Sequence, residues 1–364
     1  MASKIVSHLR MQRVRAGLSQ SQLAARVGVS RQTMNGIELG RQVPSTLVAL
    51  RLARELNTSV HRLFALPRPT SLEVASTGQL QPGMRVVCGW VGERWVAHPC
   101  HDVRQRAHGV VGEGITATGA KVVDLFAGIA DPSACVLVAG CAPILGLLGS
   151  RMGPGSTSAS LGWVAANSRQ ALAMLQQGLV HMAGIHLGAE DDARVHSEVV
   201  RSHFPGRSLA LVHLTRWHVG LVSNDAFRAT SEALSSELRW IHREPGAGTQ
   251  ASLHRWYGRS GGDLAVLNRG RTAEARSHEE VAQLIRWGLG DVGMAIASAA
   301  RHVQLSFTPL IEERFDLIVA AEHLDSPGVA QVIDGIRGRG FRAEVESLGG
   351  YDMSQAGQVL EVGA

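Results

Sequence analysis

The string Ile241-His242-Arg243-Glu244-Pro245-Gly246-Ala247-Gly248-Thr249-Gln250 combines small residues with a hydroxyl and a cation. Glycines let backbone amides approach a ligand oxygen, Thr249 adds a hydroxyl donor and Arg243 a guanidinium, so the string fits a strand end opening through a ligand-binding turn into a helix. A Gly-rich turn used only for packing is the plain alternative. No Gly-Lys-Ser/Thr follows, so the string is not a P-loop, and a dinucleotide fingerprint is equally absent. Two other places have the same character. Cys141-Ala142-Pro143 follows the apolar run Cys135 to Gly140, with Pro143 suited to a first helical position, and Asn167-Ser168 stands where a helix over Arg169 to Gln177 needs its cap. His186 ends the run Val180 to Ile185, as a ligand contact or a packing residue.

A second chemistry lies near the N-terminus. Arg31, Gln32, Thr33 and Asn35 would project from the first turns of a helix whose apolar residues Met34 and Ile37 face inward. These types read base edges: Arg pairs with guanine, Gln or Asn with adenine, and Thr touches the thymine methyl. A third group, Cys88, His98, Cys100, His101 and His108, holds types that could ligate zinc, although the spacing matches no known finger and surface histidines around a buried thiol are the alternative. No partnered nucleophile and base, no paired carboxylates and no H-E-x-x-H motif argue for catalysis.

Charge separates these regions. Residues 1–70 hold eleven Lys/Arg and two Asp/Glu, a net +9, whereas the remainder holds 25 and 29, a net −4. A basic N-terminal unit is the footprint of a polyanion partner. With 364 residues the chain needs more than one core. Its best membrane candidate, Ala134 to Leu148, is broken by Gly140, Pro143 and Gly146. Lys4, Arg10, Arg13 and Arg15 are spread through the N-terminal apolar positions, unlike an export signal, and four cysteines are too few for a disulfide scaffold.

Helical signals that would position the base-reading types fill the first 66 residues: a helix over 4–15 with Ile5, Leu9 and Val14 inward, one over Gln20 to Val27 capped by Ser19, one over Arg31 to Leu39 capped by Ser30, one from Pro44-Ser45 to Leu56 and one over Val60 to Phe64. Pro67 to Pro69 reads as a stiff exit. Residues 67–130 read as a small β-rich segment, with Met84 to Val91 and Arg94 to Ala97 joined at Gly92-Glu93. Strand and helix alternate from about 131 onward, the sign of a parallel α/β sheet.

The stretch LSQSQLAARVGVSRQTMNGIELGRQVPS, within residues 5–66, closely resembles the Xre, or Cro/repressor-type, helix-turn-helix family. The resemblance implies that Gln20 starts the backbone-contacting helix, that Ser30, Arg31, Gln32, Thr33 and Asn35 lie on the recognition helix with Arg41 a further DNA contact, and that Glu38 and Arg10 form an internal ion pair. VLVAGCAPILGLL, NSRQALAMLQQGLVHMAGIHL, LVHLTRWHVGLV, REPGAGTQ, SHEEVAQLIRWGLGDVGMAI and FDLIVAAEHL resemble, over roughly 130–360, the type II periplasmic-binding-protein-like domain. More narrowly they resemble the substrate-binding domains related to molybdate-binding proteins found behind helix-turn-helix units. That resemblance implies lobe I over about 131–214 and 303–364 and lobe II over about 215–302, with the chain leaving lobe I near 213–217 and returning near 300–306. Cys141, Ala142, Pro143, Asn167, Ser168 and His186 would face the cleft from the first lobe. Gly246, Ala247, Gly248, Thr249 and Gln250 would face it from the second, with Arg216, Arg243, His278 and Asp291 nearby. Cys141-Ala142-Pro143 departs from the oxyanion-binding relatives, which often carry serine there.

The expectation is therefore a multidomain chain: an all-α five-helix helix-turn-helix bundle, a β-rich middle segment and a two-lobed α/β ligand domain. Its function would be that of a cytoplasmic, ligand-responsive, one-component transcription regulator, dimeric, binding double-stranded DNA and a small effector and making no membrane contact. Molybdate, tungstate or a molybdenum-cofactor-related oxyanion leads as effector. A small organic acid or amino acid, metal or thiol sensing through the middle Cys/His segment, and an enzyme with a regulatory helix-turn-helix are the alternatives. No catalytic residue, metal ligand or cofactor is assigned.

Overall fold

The computed structural model describes residues 5–363 apart from 66–69, 76–79, 117–118, 128–130, 153–158, 187–192, 226–233 and 235–236. The expected exit at Pro67 to Pro69 lies outside the described residues. Two compact units divide between Thr70 and Ser71.

In the first unit, α1 (Leu9–Arg15), α2 (Gln20–Val27), α3 (Arg31–Glu38), α4 (Thr46–Glu55) and α5 (Val60–Leu63) enclose Leu9, Leu23, Val27, Met34, Ile37, Leu52 and Leu63. Helix starts are fixed locally. Ser19 accepts from the Gln22 amide in a reciprocal capping box, while Ser30 and Ser45 cap α3 and α4. Gly28 turns the chain between α2 and α3 at φ 77°, where a side chain would be strained. The first helix differs from expectation. It begins at Leu9, not residue 4, because Val6–Ser7 form β1 and pair antiparallel with β2 (Phe64–Ala65). Leu9 and Arg13, one turn apart, then make its inner face, and Val14, expected inside, is exposed.

The second unit contains two sheets. β3 (Ser71–Val74), β4 (Arg85–Val91), β5 (Arg94–Pro99), β6 (Gly109–Ile115) and β7 (Lys121–Leu125) form an antiparallel sheet ordered β3-β7-β6-β4-β5. Gly92-Glu93 makes the β4–β5 turn. Val87, Val91 and Val96 of this sheet share a core with Leu137, Val164, Ala183 and Ile318 of the larger one.

The larger sheet carries the two lobes. In lobe I, parallel strands β8 (Cys135–Gly140), β9 (Ser160–Ala165) and β10 (Met182–Ile185) alternate with α6 (Ile144–Arg151), α7 (Ser168–Gln176) and α8 (Ala193–His203). β8 is buried along its whole length, as a strand covered on both faces must be. β11 (Leu209–Ser223) crosses to lobe II, where β12 (Trp240–Arg243), α9 (Gly248–Arg259), α10 (Leu264–Arg269), β13 (Arg271–Ala275), α11 (His278–Arg286), β14 (Val292–Ile296) and α12 (Ala297–His302) follow. β15 (Ser306–Ala320) returns, and α13 (Pro327–Arg337), α14 (Arg339–Leu348), β16 (Tyr351–Asp352) and β17 (Val359–Val362) complete the chain. The main path is β13-β12-β14-β11-β15-β10-β8-β9, with β16 and β17 also paired to β11.

β11 and β15 pair antiparallel through both lobes, with register shifts at His213/Thr215 and Val219/Gly220. β15 starts opposite Ser223 and meets β10 only at Asp316, so the chain re-enters the first lobe later than residues 300–306. The return is made by one continuous strand, as the expected crossover strands require. Asp316 anchors it by accepting from His196 Nδ1 at 2.7 Å, His213 Nδ1 at 3.0 Å and Arg314 Nε at 2.8 Å. Burial opposes its charge, but the donors from His196, His213 and Arg314 outweigh that and hold the carboxyl below its usual range.

Candidate functional site

In the first unit, Arg31, Gln32 and Asn35 are exposed on α3, Thr33 is half-buried with its hydroxyl 2.9 Å from Ser30 Oγ, and Ser30 and Arg41 are exposed beside them. Arg10, Gln20, Arg31 and Asn35 line one open hollow. Gln20 Nε2 donates to Glu38 Oε2 at 2.7 Å, which fixes its amide at the start of α2. The expected Arg10–Glu38 ion pair is corrected: Arg13 is the partner, donating through Nε and Nη2. Because α1 starts at Leu9, position 13 points inward and position 10 outward. Burial would raise the pKa of Glu38, but the hydrogen bonds from Arg13 and Gln20 prevail and lower it.

In the second unit the loops after five strands meet. Cys141, Ala142 and Pro143 leave β8 and enter α6, whose first residue is Ile144. Asn167 caps α7 in a capping box with Gln170, and Ser168 is its first helical residue. His186 follows β10, Gly248 and Thr249 open α9 after β12, and His278 opens α11 after β13. All five places lie at carboxyl ends of parallel strands, where open α/β sheets bind ligands. The lobes touch here. Asn167 Nδ2 donates to Glu244 Oε1 at 3.3 Å, and a Cβ on Gly248 would stand 2.3 Å from the His186 carbonyl oxygen, so only glycine permits this approach.

His186 sits at the centre. Its Nδ1 lies 2.8 Å from Glu313 Oε2, and the other carboxylate oxygen accepts from Ser252 Oγ at 2.7 Å. The ring stacks on Phe315 at 5.8 Å and meets Trp217 edge-on at 5.3 Å. Burial works to lower its pKa, but the Cys141 sulfur and the Glu313 carboxylate outweigh burial and raise it to about 10. Cys141, His186 and His278 each bring one metal-ligating atom within 4.8 Å of the others. His278 is wholly buried, neither ring nitrogen has a hydrogen-bond partner among the described residues, and burial, then Arg243 and His186, hold its pKa well below the ordinary value. Thr249 Oγ1, Trp217 Nε1 and Arg243 Nη1 are likewise buried without partners among the described residues.

Other expected residues are engaged elsewhere. Arg243 is buried against Glu244 at 2.9 Å, and Gln250 turns its amide to the Arg243 backbone and His254. Gly246 and Ala247 form the turn before α9, with Gly246 at φ 95° against Asn167. Arg216 lies half-buried on β11. Asp291 is corrected: it precedes β14 at the amino end of that strand, opposite the end where the cleft opens, and pairs with Arg239 at 2.7 Å. The middle Cys/His group, named only as an alternative metal site, brings no three ligating atoms together among the described residues, whereas Cys141, His186 and His278 do so. Glu313, Trp217, Phe315 and Ser252 escaped notice in the sequence. Glu312 and Glu313 carry the one available signal, because adjacent residues of a strand face opposite sides and one of the two acids must point inward.

Comparison with known proteins agrees with this architecture. The PBP superfamily domain matches residues 152–337, and a helix-turn-helix matches residues 9–63. The chain is 32% identical over 92 residues, 25% of its length, to 81% of an uncharacterized protein in the ferredoxin 2Fe-2S gene 5′ region of Clostridium pasteurianum. It is 50% identical over 48 residues, 13% of its length, to 70% of an uncharacterized HTH-type transcriptional regulator of Methanothermobacter thermautotrophicus. A putative phosphate ABC transporter substrate-binding protein from Clostridium perfringens, solved with bound phosphate, aligns over 59% of this chain and 97% of its own with a TM-score of 0.45 and 11% identity. The chain belongs to the PBP superfamily and is a helix-turn-helix transcription regulator of the Xre type with a PBP-like ligand-binding domain.

Proposed function

We propose that a small polar ligand, bound where the two lobes meet, controls the affinity of the first unit for duplex operator DNA. The observation that carries this is a set of buried polar atoms without partners among the described residues: His278 Nδ1 and Nε2, Thr249 Oγ1 and Arg243 Nη1 from lobe II, and Trp217 Nε1 from the crossing strand β11. Each such group costs about 1–3 kcal/mol unless something satisfies it, and a bound ligand would. The Thr249 hydroxyl and the Trp217 N–H are donors, which suits an oxyanion such as molybdate or tungstate. A small organic acid is the second reading: Glu244 accepts from Arg243 Nε and Nη2, but Nη1 is buried without a partner among the described residues and would donate to a carboxylate.

Arg31, Gln32, Thr33 and Asn35 would read bases while Gln20, Ser30 and Arg41 touch the backbone, and a homodimer in the cytoplasm would present two such helices to two half-sites. Among the described residues no helix is long and apolar enough to cross a membrane. Ligand acts by preferring one lobe arrangement, whichever sign of control results.

The test is selection of a binding site from random duplexes by the full chain. Operator affinity is then measured by fluorescence anisotropy, alongside thermal unfolding, with oxyanions, organic acids, amino acids and metals. A defined site is expected, weakened about tenfold or more by Asn35→Ala or Gln32→Ala, together with a ligand that moves both unfolding temperature and operator affinity. Binding without sequence preference, or a stabilising ligand that leaves operator affinity unchanged, overturns the proposal.

A further inference from the structure

We infer that Cys141, His186 and His278, converging from both lobes at the buried centre of the cleft, bind a divalent transition-metal ion of zinc-like softness. This deepens the proposal that the cleft is the sensor and rests on it. A thiolate with two imidazoles is a donor set for zinc and its neighbours, whereas calcium or magnesium needs an oxygen cage that these side chains do not supply.

The distances are within reach of coordination. Bonds of about 2.3 Å to sulfur and about 2.0 Å to nitrogen place tetrahedral ligands roughly 3.5 Å apart, so side chains whose ligating atoms lie within 4.8 Å of one another need only small rotations. The surroundings match as well. The Glu313 carboxylate at His186 Nδ1, itself held by Ser252, would fix the ring with Nε2 free for the metal, the carboxylate–histidine arrangement that orients metal-bound imidazoles.

His278 is the independent indication. A histidine buried for packing normally finds a hydrogen bond for at least one ring nitrogen, and here, among the described residues, both lack one at full burial. Three protein ligands leave one tetrahedral position open, which water or an anion donated to by Thr249 would fill. Two ligands come from lobe I and one from lobe II, so the ion would join the lobes and favour their closed arrangement.

The full chain, stripped with a chelator, would be titrated with zinc(II) against a chromophoric competitor, and cobalt(II) would be substituted for its spectrum. One ion per chain is expected, with tetrahedral d–d absorption and a thiolate-to-cobalt charge-transfer band. His278→Ala and Cys141→Ser should each lower zinc affinity at least about 100-fold, and Glu313→Gln about 10- to 100-fold, while their melting in chelator matches that of the parent chain. Cys141→His keeps a ligand at the same place: affinity should largely return and the charge-transfer band should not. Less than one ion per chain without that band, or His278→Ala and Cys141→Ser binding zinc as the parent does, overturns the inference. Operator affinity separates this result from the regulatory reading. Zinc bound with operator affinity unmoved sinks the regulation and keeps the site; operator affinity responding to another ligand with no zinc bound sinks the site and keeps the regulation.

Discussion

Cysteine and histidine gather in two regions of the second unit, and their surroundings treat them in opposite ways. In the smaller sheet each group is settled individually: His98 Nε2 meets the Leu179 carbonyl at 2.8 Å, His108 Nδ1 accepts from the Cys88 amide at 2.9 Å, and His101 is exposed. Burial pushes the Cys88 thiol up to about 12 and the Cys100 thiol up to about 11, which keeps both protonated. At the lobe junction the same residue types are brought together and left incomplete, with neither ring nitrogen of His278 hydrogen-bonded among the described residues. Buried polar groups that have satisfied one another stabilise a fold. Where several groups that a fold buries and does not satisfy converge, as here, a ligand would find partners.

The largest expected contrast is in zinc affinity. His278→Ala should lower it at least about 100-fold, whereas His98→Ala and His101→Ala leave it unchanged; equal losses from both regions would erase the distinction. Stability in chelator should show a smaller contrast. His98→Leu leaves the Leu179 carbonyl unpaired and should cost about 1–3 kcal/mol, while His278→Leu removes two unsatisfied atoms and should change denaturant stability by less than about 1 kcal/mol or increase it. A loss at position 278 as large as that at 98 would show that His278 has partners in solution.

The smallest contrast is in pH dependence. His98 and His108 have pKa values lowered by burial, so both are neutral when folded. Their contribution is complete above the unfolded value near 6.5 and is lost as pH falls toward their folded values, at up to about 1.4 kcal/mol per pH unit for each group. Denaturation at pH 7.5 and 5.5 should show this loss, and His98→Leu should remove about one proton of it. A slope unchanged by that substitution would mean that His98 does not titrate between the two states.

Local structure was legible where local interactions decide it. The caps at Ser19, Ser30, Ser45 and Asn167 satisfy amides within three residues, and the run Cys135 to Gly140 has the continuous apolar character of a strand buried on both faces. Hence the elements, the helix-turn-helix and the alternation of the ligand domain could be read from the chain. Arg13 in place of Arg10 was not legible, because the inward face of α1 depends on β1 pairing with a strand beyond α5.

The sequence by itself determined the elements, their order, the basic first unit and most of the residue types that line the cleft. Tertiary structure alone decided which of them meet: Cys141, His186 and His278 come from loops far apart in the chain, and Glu313 reaches His186 from the returning strand. The physical reason is range. Caps and periodicity act over a few residues, whereas the approach of Gly248 to the His186 carbonyl, and with it the geometry of the site, is set by how two lobes pack along β11 and β15.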